Sequence, residues 1–360
     1  MHEVYLDCAA AMPPDPEALE FYAVRLREDY ANQEAGHALA YRERQTLAAA
    51  EARLARTLTG DGENPVVWGA TATDLFRLFA AFGPWERVVT SALEHPALTA
   101  NLRKKERCAI WPAGRDGQIV PQGLDFAPDA AFFHQAQSEL GSLPDLSRLF
   151  AAVPGACKVV DAVQAAGKLP LVPDADVWIT SGVKFGAPGG AAAILNRHSP
   201  HAEKLLEHAK NYRSQEYAAG RVPVPLALTL VRAAEIASAR REREFRRLTA
   251  LRDRIVEAVA AWGVTPTLPE TAPVTPYILN LLLPSQQSAI IVRALSEVGV
   301  YVASGSACQA ESGKPSAALR AIGLKRDAAY RTLRVSFGPA SDDEAAGIFL
   351  SALETALKNY

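Results

Sequence analysis

Residues 157–170 read CKVVDAVQAAGKLP. The opening CKVV is short and largely apolar, as a strand buried on both faces of a parallel sheet must be. It runs into Asp161, with Gln164 three residues on. A carboxylate at the carboxyl end of a parallel strand stands where such sheets bind ligands. It suits a protonated ring nitrogen, and it equally suits the N-cap of a following helix.

Working outward, the same kind of run recurs. PVVW near residue 66, RVVTS near 89, AAFFH near 132, VWITS near 179 and AAAIL near 193 are all strand-sized and apolar, and helical patterns separate most of them. Strands spaced by helices predict an α/β unit with a mainly parallel sheet covered on both faces. Two helices precede it, PDPEALEFYAVRLREDY and YRERQTLAAAEARLARTL. A long helical pattern from about Pro225 to Ala260 carries the charges of RREREFRR on one side, which reads as a solvated face. Beyond it, YILNLLL, a helix from about Gln287 to Val298, VYVAS, AALRAIG, TLRVSF and a last helix from about Asp342 predict a smaller α+β unit. The expected division is 16–240 for the large unit, with 1–15 and 241–360 forming the small one.

The totals narrow the function. With 360 residues, 49% hydrophobic and 22% charged, the chain can bury a sizeable core. A net charge of −2 gives no electrostatic reason to expect nucleic acid. No run approaches a membrane span, and MHEVYLDCAAAMPP lacks the basic and apolar regions of a secretory signal. The cysteines, Cys8, Cys108, Cys157 and Cys308, are scattered, which predicts free thiols in a reducing cytoplasm. No HExxH and no Cys/His pairing at ligand spacing points to a metal; His198 and His201 flank a proline without further ligands near them.

Five further stretches could carry chemistry. In WITSGVKFGAPGG (178–190), Lys184 follows a strand ending at Ser181 and precedes a glycine-rich turn. A partly buried lysine there would be a nucleophile toward carbonyls; a surface lysine is the plain alternative. WGATATDLFRLF (68–79) offers backbone amides and the Thr71 and Thr73 hydroxyls to a phosphate, or is an ordinary helix cap. TSALEHPAL places His95 just after a strand, where an imidazole can stack on a flat ring or serve only the fold. TLRVSFG sets Arg334 in an apolar strand, where a guanidinium needs an anion or an exposed face. VYVASGSACQAESGKPS (300–316) presents Cys308 among small residues, as a loop that offers a thiol.

Together, in this order, YLDCAAAMPPDP, GATATD, SALEHPA, SELG, DAVQAAGKLP, SGVKFGAPGG, SGSAC and LRVSFG resemble the cysteine desulfurases of the class V aminotransferase family, from about residue 4 to about 350. The resemblance implies the type I fold of enzymes dependent on pyridoxal 5'-phosphate. It implies that Lys184 holds the cofactor as a Schiff base and then transfers protons. Asp161 would bond the pyridine nitrogen, Gln164 the ring hydroxyl, and His95 would stack on the ring. Ala70, Thr71 and Ser181 would hold the phosphate, and Arg334 the substrate carboxylate. Cys308 would take sulfur from L-cysteine as a persulfide, releasing alanine, and pass it to an acceptor protein for iron–sulfur cluster assembly, tRNA thiolation or another use. A homodimer is expected on the same ground.

Departures from the family pattern bear on this. Val183 stands where histidine commonly precedes the lysine, and Ser138, beside Gln137, where an asparagine is usual. Arg221 replaces a threonine that reaches the neighbouring subunit's phosphate, and could replace the lost donors. Cys8 stands at a usual asparagine, as a second thiol or a small buried filler. An altered pocket leaves open a selenocysteine lyase, a cysteine-sulfinate lyase or an aminotransferase. It also leaves open a degenerate, non-catalytic sulfur-relay partner.

Overall fold

The structure, a computed structural model, describes residues 3–214, 222–305 and 315–360, with side chains 211–214 set aside. The chain opens with β1 (Val4–Tyr5), α1 (Pro16–Glu28) and α2 (Ala38–Thr59). Asp15 caps α1 by accepting from the Glu17 N–H, with Pro16 in the first turn, and Gly60 ends α2 in the left-handed region at φ 83°. Next come β2 (Val66–Gly69), α3 (Ala72–Phe76) running into a π-helical turn at Arg77–Ala81, β3 (Arg87–Ser91), α4 (Pro96–Leu102) and β4 (Arg107–Trp111). Then follow β5 (Ala130–His134), α5 (Leu146–Ala151), β6 (Cys157–Asp161), β7 (Val177–Ser181), β8 (Ala191–Leu195), α6 (Ala202–Ser214) and α7 (Val224–Ala260). The last part holds β9 (Thr265–Pro266), β10 (Ile278–Leu282), α8 (Ser288–Glu297), β11 (Val300–Tyr301), β12 (Ala303–Ser304), α9 (Ala317–Ala321), α10 (Arg326–Ala329), β13 (Thr332–Ser336) and α11 (Asp343–Asn359).

Seven strands form one sheet in the order β2-β8-β7-β6-β5-β3-β4. The pairs from β4 through β7 are parallel, and only β8 runs against its neighbours. Side chains alternate across the sheet: Phe133 and Val160 pack toward α1, α2 and α7, while Phe132 and Val159 pack toward α3, α4 and α6. Every residue of AAFFH and AAAIL is buried, so these strands announce themselves as unbroken apolar runs. Strand β4 was not anticipated. It is an edge strand with an exposed arginine at its start, which hides the pattern.

A second sheet, β12-β13-β10-β9, is antiparallel throughout, and β1 pairs in parallel with β11. Its core comes from α7, α8 and α11. Helix α7 serves both cores: Leu228, Val231 and Ile236 belong to the large one, Leu248, Leu251, Ile255 and Val259 to the small one. Residue 240 therefore lies within a continuous helix. Three of the RREREFRR arginines meet acids, Arg240 at Asp15, and Arg243 and Arg247 at Glu244. Among the described residues, no helix is long and apolar enough to cross a membrane.

Candidate active site

The carboxyl ends of β5, β6 and β7 bring His134, Asp161 and Ser181 to one edge of the large sheet. After Ser181 the chain makes a 3-10 turn, Gly182–Lys184, and doubles back. Glycine is required at 182: a Cβ there would sit 2.5 Å from the Gly189 carbonyl oxygen and 2.7 Å from Ala187 Cβ. Gly186, at φ 94°, turns the chain where a side chain would be strained. The turn is pinned from outside by the N-terminal segment. Met12 N–H donates to the Val183 carbonyl at 2.8 Å and Asp15 N–H to that of Gly186 at 2.9 Å. The Lys184 ammonium donates to the Ala10 carbonyl.

The groups around Lys184 sense one another. Burial, then the nearby Lys184 charge, lowers the His95 pKa, so its ring favours the neutral form. His95 caps α4, and its Nδ1 accepts from the Ala97 N–H at 3.2 Å. Burial pushes the Asp161 carboxyl up to about 7; the Val163 N–H, donating at 2.9 Å, and the charges of His134 and Lys184 oppose that rise. Asp161 does not cap a helix, because turns follow it. Its carboxylate is a partly open acid in a poorly hydrated place, which a cationic ring nitrogen would satisfy.

At the start of α3, Ala70 and Thr71 are exposed, and Ser181, at the end of β7, is buried. Thr71 is a capping residue in full: its hydroxyl and N–H both donate to Asp74 Oδ2, at 2.9 and 3.0 Å, and Asp74 N–H donates back at 3.2 Å. The first-turn amides of Ala72 and Thr73 have no carbonyl one turn earlier to bond, and remain available to an anion. Gln164 is less free than the sequence suggests. Its Nε2 donates to the Ala9 carbonyl at 2.9 Å, and its Oε1 accepts from Lys168 at 3.3 Å. A ring hydroxyl would have to share those partners.

Arg334 is brought to the same edge from β13. It is 4% exposed, donates to Asp7 Oδ1 at 2.7 Å and, through Nη1, to the Ser138 backbone carbonyl at 3.1 Å. Its Nε is buried and bonds nothing among the described residues, a donor in reserve for a carboxylate. Ser138 thus contributes its carbonyl here, while Gln137 props the preceding turn by accepting from the Glu139 and Leu140 N–H groups at 2.6 and 2.7 Å. Cys308 and Arg221 lie outside the described residues.

Four residues of this site escaped the sequence reading. Lys168 is 4% exposed and lies against Tyr277, its amine 5.6 Å from the ring centre. Asp7 ties down Arg334, and Glu94 pairs with His134. A charged residue beside an apolar run, as in AAFFH and EH, was the one available signal, and exposure is the ordinary expectation for such residues. Cys8 is buried at the edge of a cavity that Lys168 and Tyr277 also line. It is 4% exposed, burial pushes its thiol up to about 11, and it packs against Gly338, where a Cβ would meet its sulfur at 2.8 Å.

A family model described as aminotransferase class V matches residues 4–348. The cysteine desulfurase IscS of Anaeromyxobacter dehalogenans is 28% identical, over 95% of this chain and 89% of its own. A cysteine desulfurase of Gluconacetobacter diazotrophicus is 29% identical, over 95% and 90%. A solved structure titled NifS-like protein superposes with a TM-score of 0.84 at 21% identity, covering 100% of both chains.

Proposed function

The chain belongs to the class V aminotransferase family, and on that premise we propose that it is a pyridoxal-phosphate-dependent cysteine desulfurase acting on L-cysteine. The observation that carries the cofactor is the juxtaposition of an amine on a glycine-held turn, Lys184, with a carboxylate, Asp161, that burial destabilises until a cation meets it. Lys184 would hold the aldehyde, Asp161 the ring nitrogen and His95 the ring face. Ala70, Thr71 and Ser181, with the free amides of the α3 first turn, would hold the phosphate, and Arg221 would add a charge to it. Bound, the cofactor supplies an electron sink for charge that develops on the substrate Cα.

The chain's own residues do the rest. Arg334 orients the substrate carboxylate through its spare Nε, while its Nη1 donates to the Ser138 carbonyl. The Lys184 amine removes the Cα proton. The Cys308 thiolate attacks the substrate sulfur. The carbon–sulfur bond breaks, sulfur stays on Cys308 as a persulfide, and one proton added at the β-carbon in place of sulfur and one returned to Cα by Lys184 give alanine. Residues 16–240 form the cofactor-binding unit, with 1–15 and 241–360 closing over it. The free thiols Cys8, Cys108 and Cys157 are consistent with a reducing cytoplasm, and we expect a homodimer and a sulfur-acceptor protein.

The test is alanine release from L-cysteine by cofactor-saturated protein with a thiol reductant, with Cys308→Ala in parallel. Alanine from the wild type and none from the variant is the expected result. Equal release from both removes Cys308 as the acceptor, and none from either, with cofactor bound, removes the desulfurase reading. Arg221→Ala is expected to release the cofactor faster on dialysis, followed by visible absorbance.

A further inference from the structure

His134 is a buried histidine with an acid on each side. It ends β5 as the register partner of Asp161 on β6, so both side chains leave one face of the sheet on strands about 5 Å apart. Its Nδ1 lies 2.8 Å from Glu94 Oε1, which also accepts from the Ser91 hydroxyl at 2.7 Å. The imidazole is 3% exposed and the Glu94 side chain 0%. His134 Nε2 and Glu94 Oε2 are buried and bonded to nothing among the described residues.

Two carboxylates that feel each other in a dry site cannot both stay ionised unless a cation lies between them. The Glu94 charge does press on Asp161, raising its pKa, and the His134 charge relieves it. Burial works against a charged imidazole. Even so, the charge and hydrogen bond of Glu94, with the charge of Asp161, lift the His134 pKa above its ordinary value. The groups facing it are Glu94 from the loop after β3 and Asp161 from β6. Lys184, from the turn after β7, acts on Asp161 and on His95.

We propose that His134 is a positioning residue whose imidazolium, set between Glu94 and Asp161, keeps the Asp161 carboxylate ionised and so able to hold a proton on the ring nitrogen of pyridoxal phosphate. The inference rests on the reading that this chain takes that cofactor. It assigns Glu94 and His134 a single electrical role rather than two separate packing roles.

The experiment is cofactor binding, not turnover. Full-length protein freed of cofactor is titrated with pyridoxal phosphate between pH 6 and 9, following visible absorbance and tryptophan quenching. For His134→Phe the dissociation constant at pH 6, below the wild-type midpoint, should rise about tenfold, the factor that one pKa unit on Asp161 carries. The pH midpoint of binding should move up by about one unit relative to wild type. Adding Glu94→Gln, which removes the opposing charge, should bring the midpoint back. A purely structural His134 would leave the midpoint in place and make the double variant no better than the single. Should His134→Phe fail to fold by its thermal melt, His134→Gln keeps a hydrogen bond to Glu94 without the charge; the same shift supports the proposal and no shift overturns it. Wild type that takes up cofactor while a folded variant titrates identically overturns this inference alone. Wild type that takes up none overturns the underlying reading and this inference with it.

Discussion

Lys168 shows how a single residue can carry two opposed demands. It closes DAVQAAGK and, although lysines are ordinarily exposed, it is buried against Gln164 and Tyr277. Burial drives its pKa down to about 8, with the Cys8 thiol opposing and the Lys184 charge adding to the fall. An unfolded lysine titrates near 10.4, so between about pH 8 and 10.4 the unfolded chain binds more protons than the folded one. Stability from this group therefore rises with pH across that window. At pH 7.5 the buried ammonium is a penalty of about 3 kcal/mol. Lys168→Met should stabilise the protein in urea at pH 7.5 and lose that advantage by pH 10. An advantage that stays constant with pH would show that the lysine binds its proton equally in the folded and unfolded chain, so that burial does not depress its pKa. Lys184→Ala should remove the covalent cofactor absorbance and lower alanine release by about a hundredfold or more. Lys184 was singled out in the sequence because the strand and glycine-rich turn around it belong to a series of motifs that together resemble one family. Lys168 was not, since nothing local marks a lysine for burial.

Among the elements, the turn at 182–190 does the most to place the chemistry. Its geometry depends on backbone approach rather than on side-chain bonds. Gly182→Ala would push against the Gly189 carbonyl and Ala187, so the turn must open and carry Lys184 with it. The expected result is loss of the covalent cofactor band with a thermal melt that falls only modestly, because both faces of the sheet keep their cores. A variant that retains the full band would show that Lys184 is placed by other contacts. The buried strands were read at once, because a strand covered on both faces must be apolar throughout. Helix α3 was legible through its capping residues, and its box with Asp74 explains why Thr71 looked at once like a cap and a phosphate donor. Strand β4 was missed because an edge strand needs apolar residues on few positions.

At the scale of the molecule, the first fifteen residues tie the two sheets together. Asp7 holds Arg334 and Ala9 N–H donates to Ser336 Oγ at 2.9 Å on the small side; the Ala9 and Ala10 carbonyls hold Gln164 and Lys184 on the large side. Asp7→Ala leaves a buried guanidinium without its anion, and should destabilise the protein by about 3 kcal/mol in urea. It should also raise KM for cysteine more than it lowers kcat, because the guanidinium loses its orientation before substrate arrives. An unchanged urea midpoint would mean that Arg334 finds another anion. The sequence by itself determined the buried strands, most of the helices and a smaller second unit, and its short motifs, through the family they resemble, nominated the amine, carboxylate, imidazole and guanidinium of the site. Those follow from apolar periodicity and from short motifs whose spacing is local. Only the tertiary structure decided which charges meet: Asp7 with Arg334 across 327 residues, Glu94 with His134 across 40, and Lys168 with Tyr277. Burial and pairing are properties of surfaces that the folded chain brings together. A charged residue carries no local sign of the partner that makes its burial tolerable.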